Sequence, residues 1–320
     1  MKEKNRINWL LLFLLPLACN EKKAFLKIKI EKILITSAVS SGSGLASLND
    51  SIFVVGDDAE YIGKISLTDT EYRRIPFYPN APANRIDRAI KHDLESGALG
   101  NIGNDKYLFA FGSGTISPYR DTLFVLNVYD EGKRSKYSLS TFYDAIRLKT
   151  GLKENELNIE GVAIINDKLL LFNRGKNFLV LVPWAKFTQY ILRQDLSDSL
   201  PFAILNISLP MVNNFPVGFS GACALNESDL LFTASLEETK DFTKDGVIKG
   251  SYIGILELVN DTTVNLVSMT TLKNEDGNIV LDKLESIEVI KTKANNIRSI
   301  AVADNDDGTS KVFYLNIERN

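Results

Sequence analysis

A chain of 320 residues with 45% hydrophobic and 24% charged side chains has enough apolar surface for a large buried core and is not composed like a disordered protein. A formal net charge of −3 leaves no basic excess to neutralise phosphates, which argues against a nucleic-acid partner. Two cysteines and one histidine exclude a disulfide framework and confine any Ser–His, Cys–His or zinc–imidazole chemistry to His92.

At the N-terminus, Lys2, Lys4 and Arg6 precede the apolar run Trp9–Leu17, which Ala18-Cys19 closes. A basic start, a short apolar stretch and a small residue before a cut site make a secretory signal, and the run is too short to span a bilayer as a helix. Leu15-Pro16-Leu17-Ala18-Cys19 resembles the bacterial lipoprotein box, with Pro16 where Leu is usual. That resemblance implies a lipidated Cys19, carrying palmitate or related acyl chains, as the first mature residue. An ordinary cleaved signal with an incidental Cys is the alternative. The expected organisation is a signal over 1–19, a polar tether over 20–24 and one domain over 25–320. The expected location is the bacterial cell envelope, lipid-anchored to the outer membrane on its periplasmic or surface face.

Five similar units follow, opening near Gly44, Asp93, Ile159, Phe219 and Leu284. Each begins with a short strand of small and apolar residues, passes a polar turn containing Asn or Asp, and continues into a strongly apolar strand such as Leu169-Leu170-Leu171-Phe172. A third strand is expected at Tyr61–Leu67, Thr122–Val128, Phe178–Val182, Tyr252–Leu258 and Lys311–Ile317. Unit starts roughly 50–65 residues apart suit four-stranded propeller blades. The fold expected is therefore an all-β propeller of five blades, or six if one unit is degenerate, with a β-sandwich as the other all-β solution. Small residues in the first strands suit the crowded centre of a propeller. The strand around Phe25–Ile35 is expected to complete the last blade, closing the ring and removing its edges. Helices are expected at Thr141–Leu152 and Trp184–Gln194, both between units.

Polar residues recur at two places per unit. Asp93, Glu95, Glu160, Ser220 and Glu285 open first strands. Asp57, Asp58, Ser113, Arg174, Glu237, Glu238, Asp304, Asp306 and Asp307 follow second strands. The start of one antiparallel strand lies beside the end of the next, so both sets are expected around one channel mouth. The candidate ligand-binding residues are Asp93, Glu95, Ser113, Arg120, Glu160, Arg174, Ser220, Glu237 and Glu285. Clustered carboxylates need water, a basic partner or a hard cation. Asp93, Glu95, Glu160, Glu285, Asp304 and Asp306 are accordingly the candidate metal ligands, with calcium as the cation, while Arg120 and Arg174 are placed to pair with acids or hold an anion. The alternative for any one acid is a turn cap or a backbone hydrogen bond. Asp304–Gly308 resembles the first part of a calcium loop without its spaced Glu. Ser41-Gly42-Ser43-Gly44 and Gly112-Ser113-Gly114 lack the Lys of a phosphate loop and read as turns. The polar insertion over residues 237–250 is placed to cover the mouth. Cys223, in an apolar stretch, reads as a buried small side chain.

Asp93-Leu94-Glu95 with Gly112-Ser113-Gly114, Ile159-Glu160-Gly161 with Asn173-Arg174-Gly175, Phe232–Gly250, and Leu284-Glu285-Ser286 with Ala303–Asp307 are similar to an uncharacterised bacterial propeller-like family. That family is akin to the esterase-like phytase and other extracytoplasmic propellers. The resemblance implies the architecture; it implies phosphate-ester hydrolysis only by distant analogy. Two functions are carried forward from the residues. The first is binding of a small ligand, glycan or protein partner at the channel mouth. The second is a calcium-dependent hydrolase of phosphate or carboxylic esters, with Arg120 or Arg174 steadying an anion. The other partner expected is the membrane, through the lipid anchor.

Overall fold

A computed structural model describes residues 25–81, 85–193, 200–239, 246–305 and 307–320. The signal, Cys19 and the tether lie outside the described residues, as do Asp306 and residues 240–245 of the insertion over the mouth. The first strand, β1 (Leu26–Thr36), belongs to the last sheet. Blade I is β2 (Gly42–Leu48), β3 (Ser51–Gly56), β4 (Tyr61–Ser66) and β5 (Tyr72–Pro76). Blade II is β6 (Leu94–Ile102), β7 (Asp105–Gly112), β8 (Thr122–Asn127) and β9 (Arg134–Ser138). Blade III is β10 (Ile159–Ile165), β11 (Lys168–Asn173), β12 (Phe178–Pro183) and β13 (Ala203–Asn206). Blade IV adds a two-residue arm, β14 (Met211–Val212), to β15 (Phe215–Ala224), β16 (Asp229–Glu237), β17 (Ile248–Asn260) and β18 (Thr263–Thr271). Blade V is β19 (Leu284–Lys293), β20 (Asn296–Asp304) and β21 (Ser310–Arg319), completed on its outer side by β1. The result is the expected five-bladed propeller, closed by its N-terminal strand.

Strand alternation explains why the second strands are apolar at nearly every position. On β3, Phe53 and Val55 pack toward blade II while Ile52 and Val54 pack toward blade V. Leu169 and Leu171 of β11 likewise face blade II, and Leu170 and Phe172 face blade IV. Successive side chains of a strand point to opposite faces, so a strand wedged between two sheets needs apolar residues on both. The fold has five hydrophobic cores, one in each gap between neighbouring blades. Cys223 sits in the core between blades IV and V, where burial pushes its thiol well above the usual range.

Two helices decorate the ring. The first, α1 (Ser140–Thr150), lies between blades II and III as expected and stops at Gly151, whose backbone is left-handed at φ 67°. It braces the mouth: the Tyr143 hydroxyl donates to the Gly112 carbonyl at 2.8 Å, and Arg147 donates to the carbonyl of Gly114 and to Asp121. The second, α2 (Trp184–Arg193), is not between units. It is inserted inside blade III, between its third and fourth strands. Trp184 packs against Phe109 of blade II, and its indole N–H donates to the Asn101 carbonyl at 2.9 Å.

Candidate functional site

The five innermost strands, β2, β6, β10, β15 and β19, share one local feature. Each pairs with its neighbour through a register shift, near the start of four of them and midway along β15, which leaves an extra residue: Ser43, Glu95, Glu160, Ser220 and Glu285 in turn. A bulge of this kind bends the strand and re-aims one side chain. The residue after it is Gly or Ser because the next inner strand passes in contact. A Cβ on Gly161 would lie 3.0 Å from the Gly221 carbonyl carbon, and one on Gly221 would lie 2.5 Å from Ser286 Cα.

The bulge residues divide by chemistry. The two serines are fully buried and join blades. The Ser43 hydroxyl donates to the Leu94 carbonyl, and that of Ser220 donates to the Leu284 carbonyl at 2.6 Å. In both cases the acceptor immediately precedes the next blade's bulge glutamate. Ser220, expected at the mouth as a ligand contact, therefore does not line the cavity. Ser43 and the three glutamates do, and Glu95, Glu160 and Glu285 bring carboxylate oxygens within 4.8 Å of one another at the floor of a cavity of about 500 Å³.

Around this floor stand two ion-pair networks. In the first, Lys91 joins Asp57 to Asp93 and lies 2.8 Å from the latter, and Arg120 donates to Asp93 at 2.7 Å. Asp93 takes a left-handed backbone at φ 51°, which Asp tolerates better than most residues. Burial opposes its charge, but Lys91 and Arg120 outweigh that and hold its pKa below the usual carboxylate range. In the second network, Arg174 joins Glu160 (3.1 Å) to Glu237, and Lys283 reaches Glu285 at 3.1 Å and Glu237 at 3.5 Å. Burial again opposes the charge of Glu237, but Lys283 and Arg174 bring it down to about 2.

Glu95 lies between the two networks and, among the described residues, takes no hydrogen bond or ion pair from either. Burial, followed by the negative charges of Asp93 and Glu160, raises its pKa well above the usual value. Burial also raises that of Glu285, whose Oε1 pairs with Lys283 while Oε2 is buried without a hydrogen-bond partner.

Of the residues expected at the mouth, Asp93, Glu95, Arg120, Glu160, Arg174, Glu237, Glu285 and Asp304 all line this cavity, as do Asp57 and Asp58. Ser113 does not; its hydroxyl is buried and donates to Asp93, behind the wall. Glu238 pairs with Lys249 at 3.2 Å and is not in the lining. Asp307 closes its own turn on Thr309, whose backbone N–H and hydroxyl donate to it at 2.9 and 2.6 Å. Ser41–Gly44, read as a turn, instead leads into and begins the innermost strand of blade I; Ser41 there donates to Asp58. Lys91, Lys283 and Arg85 are site residues that sequence reasoning did not single out. Lys91 and Lys283 stand just ahead of bulge glutamates, at Lys91-His92-Asp93-Leu94-Glu95 and Lys283-Leu284-Glu285, and that position was the available signal.

The described lining holds nine acidic and seven basic residues and no aromatic one. His92 is outside it. Its Nδ1 lies 3.1 Å from the Tyr119 carbonyl and its Nε2 3.1 Å from Lys136 Nζ, so no hydroxyl or thiol nucleophile is paired with imidazole among the described residues.

In sequence, the model of a family of unknown function (DUF6929) matches residues 38–317, from just before β2 to near the end of β21. No curated protein matches the chain. Similar solved structures include the glutaminyl cyclase of Myxococcus xanthus, at 12% identity over 93% of this chain and 100% of that chain, with a TM-score of 0.47. They also include the PQQ-bound aldose sugar dehydrogenase of Streptomyces coelicolor (11%, 92% and 98%, 0.40) and a nidogen/laminin complex (14%, 87% and 84%, 0.40). None of these likenesses is close enough to carry anything over to the cavity.

Proposed function

The chain belongs to this family of unknown function, so its activity has to be read from its own channel mouth, and we propose that it is a binding module for a small, highly charged, water-soluble ligand. The observation that carries this is the wall of fixed opposite charges around a cavity of about 500 Å³. Pockets for apolar ligands are lined mainly by hydrophobic and aromatic side chains. The cores of protein–protein interfaces are depleted of charge and enriched in aromatics. The described lining has the opposite composition, which favours a small charged ligand over a protein or an apolar molecule. Its ion pairs also hold the recognising groups in place beforehand, so binding orders few side chains.

The test is thermal stability of the purified protein in EDTA with amino acids, di- and tricarboxylates, phosphorylated sugars and neutral monosaccharides. A charged class should raise the melting temperature, and the neutral sugars should not. Arg85 pairs with Asp58 at the rim and is 45% exposed, so Arg85→Ala should cost the free protein little. It should nevertheless weaken the ligand's effect. Equal stabilisation by neutral sugars, or none by any charged probe, would refute the proposal.

The same proposal places the protein in the bacterial envelope, held by acyl chains on Cys19. No helix among the described residues is long and apolar enough to cross a membrane. Each buried CH₂ of an acyl chain contributes about 0.8 kcal/mol, so two or three chains suffice as an anchor. Cys19→Ala should therefore move the protein from the membrane pellet to the soluble fraction and abolish labelling by a fatty-acid analogue. Retention in the pellet would contradict the anchor.

A further inference from the structure

We propose that Glu95, Glu160 and Glu285 form a divalent-cation site at the floor of the cavity, with calcium as the ion it takes. This goes beyond the charged-ligand reading and does not depend on it. The three residues come from blades II, III and V, and each occupies the bulge of its inner strand, so the fold brings to one point side chains that are far apart in sequence. Their oxygens, within 4.8 Å of one another, lie no more than about 2.8 Å from a common centre. Calcium binds carboxylate oxygens at about 2.3–2.6 Å in flexible geometry, while magnesium demands about 2.0–2.1 Å in a near-ideal octahedron. Magnesium is moreover usually held through one or two carboxylates, so a cluster of three suits calcium, with water in the cavity completing its shell.

Acids in proximity do not by themselves make a site, and here the state of the individual oxygens supplies the second observation. Glu285 is only 8% exposed, and its Oε2 is buried with no hydrogen-bond partner, although Lys283 holds Oε1. A buried carboxylate oxygen left unpaired is costly. Glu160 is held at its Oε1, to which Arg174 and Asn158 both donate. Glu95 takes no hydrogen bond or ion pair among the described residues. The basic residues thus steady two of the glutamates from one side, while the third feels Lys91 only through space. Lys91, the nearest ammonium on that flank, is held between Asp57 and Asp93. A bound divalent ion would satisfy these free oxygens together.

The experiment uses the purified full chain, stripped with EDTA and desalted, with calcium chloride as the only added ligand. Calorimetric titration reads binding, and melting temperatures are measured in parallel. Calcium at a hundredfold excess over its Kd should raise the melting temperature by about 5 °C. Glu95→Gln should abolish the heat and the shift while the metal-free protein melts no lower than wild type, because a neutral amide is not repelled by Asp93 and Glu160. Glu285→Gln is a second variant with the same expected loss. Glu288→Gln, an acid on the same strand outside the trio, should still bind. No heat and no stabilisation, or a calcium effect unchanged in Glu95→Gln, would overturn the assignment. Because the ligand panel is run in EDTA, failure there and failure here are separate results.

Discussion

Arg174→Ala should destabilise the protein by about 3–5 kcal/mol at pH 7, the cost of breaking a buried ion pair by deleting one partner. Arg174 is 5% exposed and holds Glu160 and Glu237 from two different blades. Without it, both carboxylates remain buried, and among the described residues Lys283 is the cation left near Glu237. The pH dependence identifies the cause. Glu237 is depressed to about 2 in the folded protein, so its contribution is present above the ordinary carboxylate pKa and is lost as pH falls toward 2. In the variant that depression is smaller, and its contribution at neutral pH shrinks with it. The gap between wild type and Arg174→Ala should therefore be widest near pH 7 and narrow steadily below pH 4.5. Denaturant unfolding at pH 7, 5 and 3.5 measures this. A gap that does not change with pH would mean that Arg174 acts by packing alone.

Gly221→Ala should cost about 3 kcal/mol or more, although it adds a single methyl group. The new Cβ would lie 2.5 Å from Ser286 Cα, 2.7 Å from the Glu285 carbonyl oxygen and 2.7 Å from Thr233 Oγ1. Two of the three are backbone atoms of the neighbouring inner strand, which cannot turn aside as a side chain can. Gly97→Ala is the comparison. It is also on an inner strand, but its Cβ would first meet Val55 Cγ2, at 3.2 Å, which can shift. Its cost should stay below about 1 kcal/mol. Similar melting temperatures for the two variants would show that the inner strands are not packed backbone to backbone as described.

The propeller was legible wherever a strand is buried. All five third strands fall within a residue or two of their expected starts except in blade IV, where β17 begins four residues earlier, at Ile248. Four of the five fourth strands went unread. β5 is Tyr-Arg-Arg-Ile-Pro and β9 is Arg-Ser-Lys-Tyr-Ser, both mostly open to solvent at the rim, so no apolar pattern marks them. The acids of the site were visible as unit openings. Their bulges could be suspected only from a recurring triplet, Leu94-Glu95-Ser96, Ile159-Glu160-Gly161, Phe219-Ser220-Gly221 and Leu284-Glu285-Ser286, in which a polar residue precedes a small one. Whether that polar residue ties two blades depends on its reach. Glutamate extends into the cavity, whereas serine is short enough to donate to the next strand's carbonyl, as Ser220 does away from the cavity and Ser43 does while still lining it. Ser41–Gly44 read as a turn because glycine usually marks one; here the crowding between inner strands demands it.

The closing blade also sets the order of folding. β1 emerges first during synthesis, yet its partner is the last strand made, Leu26 pairing with Arg319. Until β21 arrives, β1 is an unpaired edge, the kind that invites association with other chains. Blades I to IV can each form from contiguous sequence, whereas the ring cannot seal before β21 is made. Removing β21 would leave β1 unpaired, just as removing β1 would leave β21 an open edge. The two ends of the chain are thus one unit of stability, and contacts this distant in sequence are slow to form.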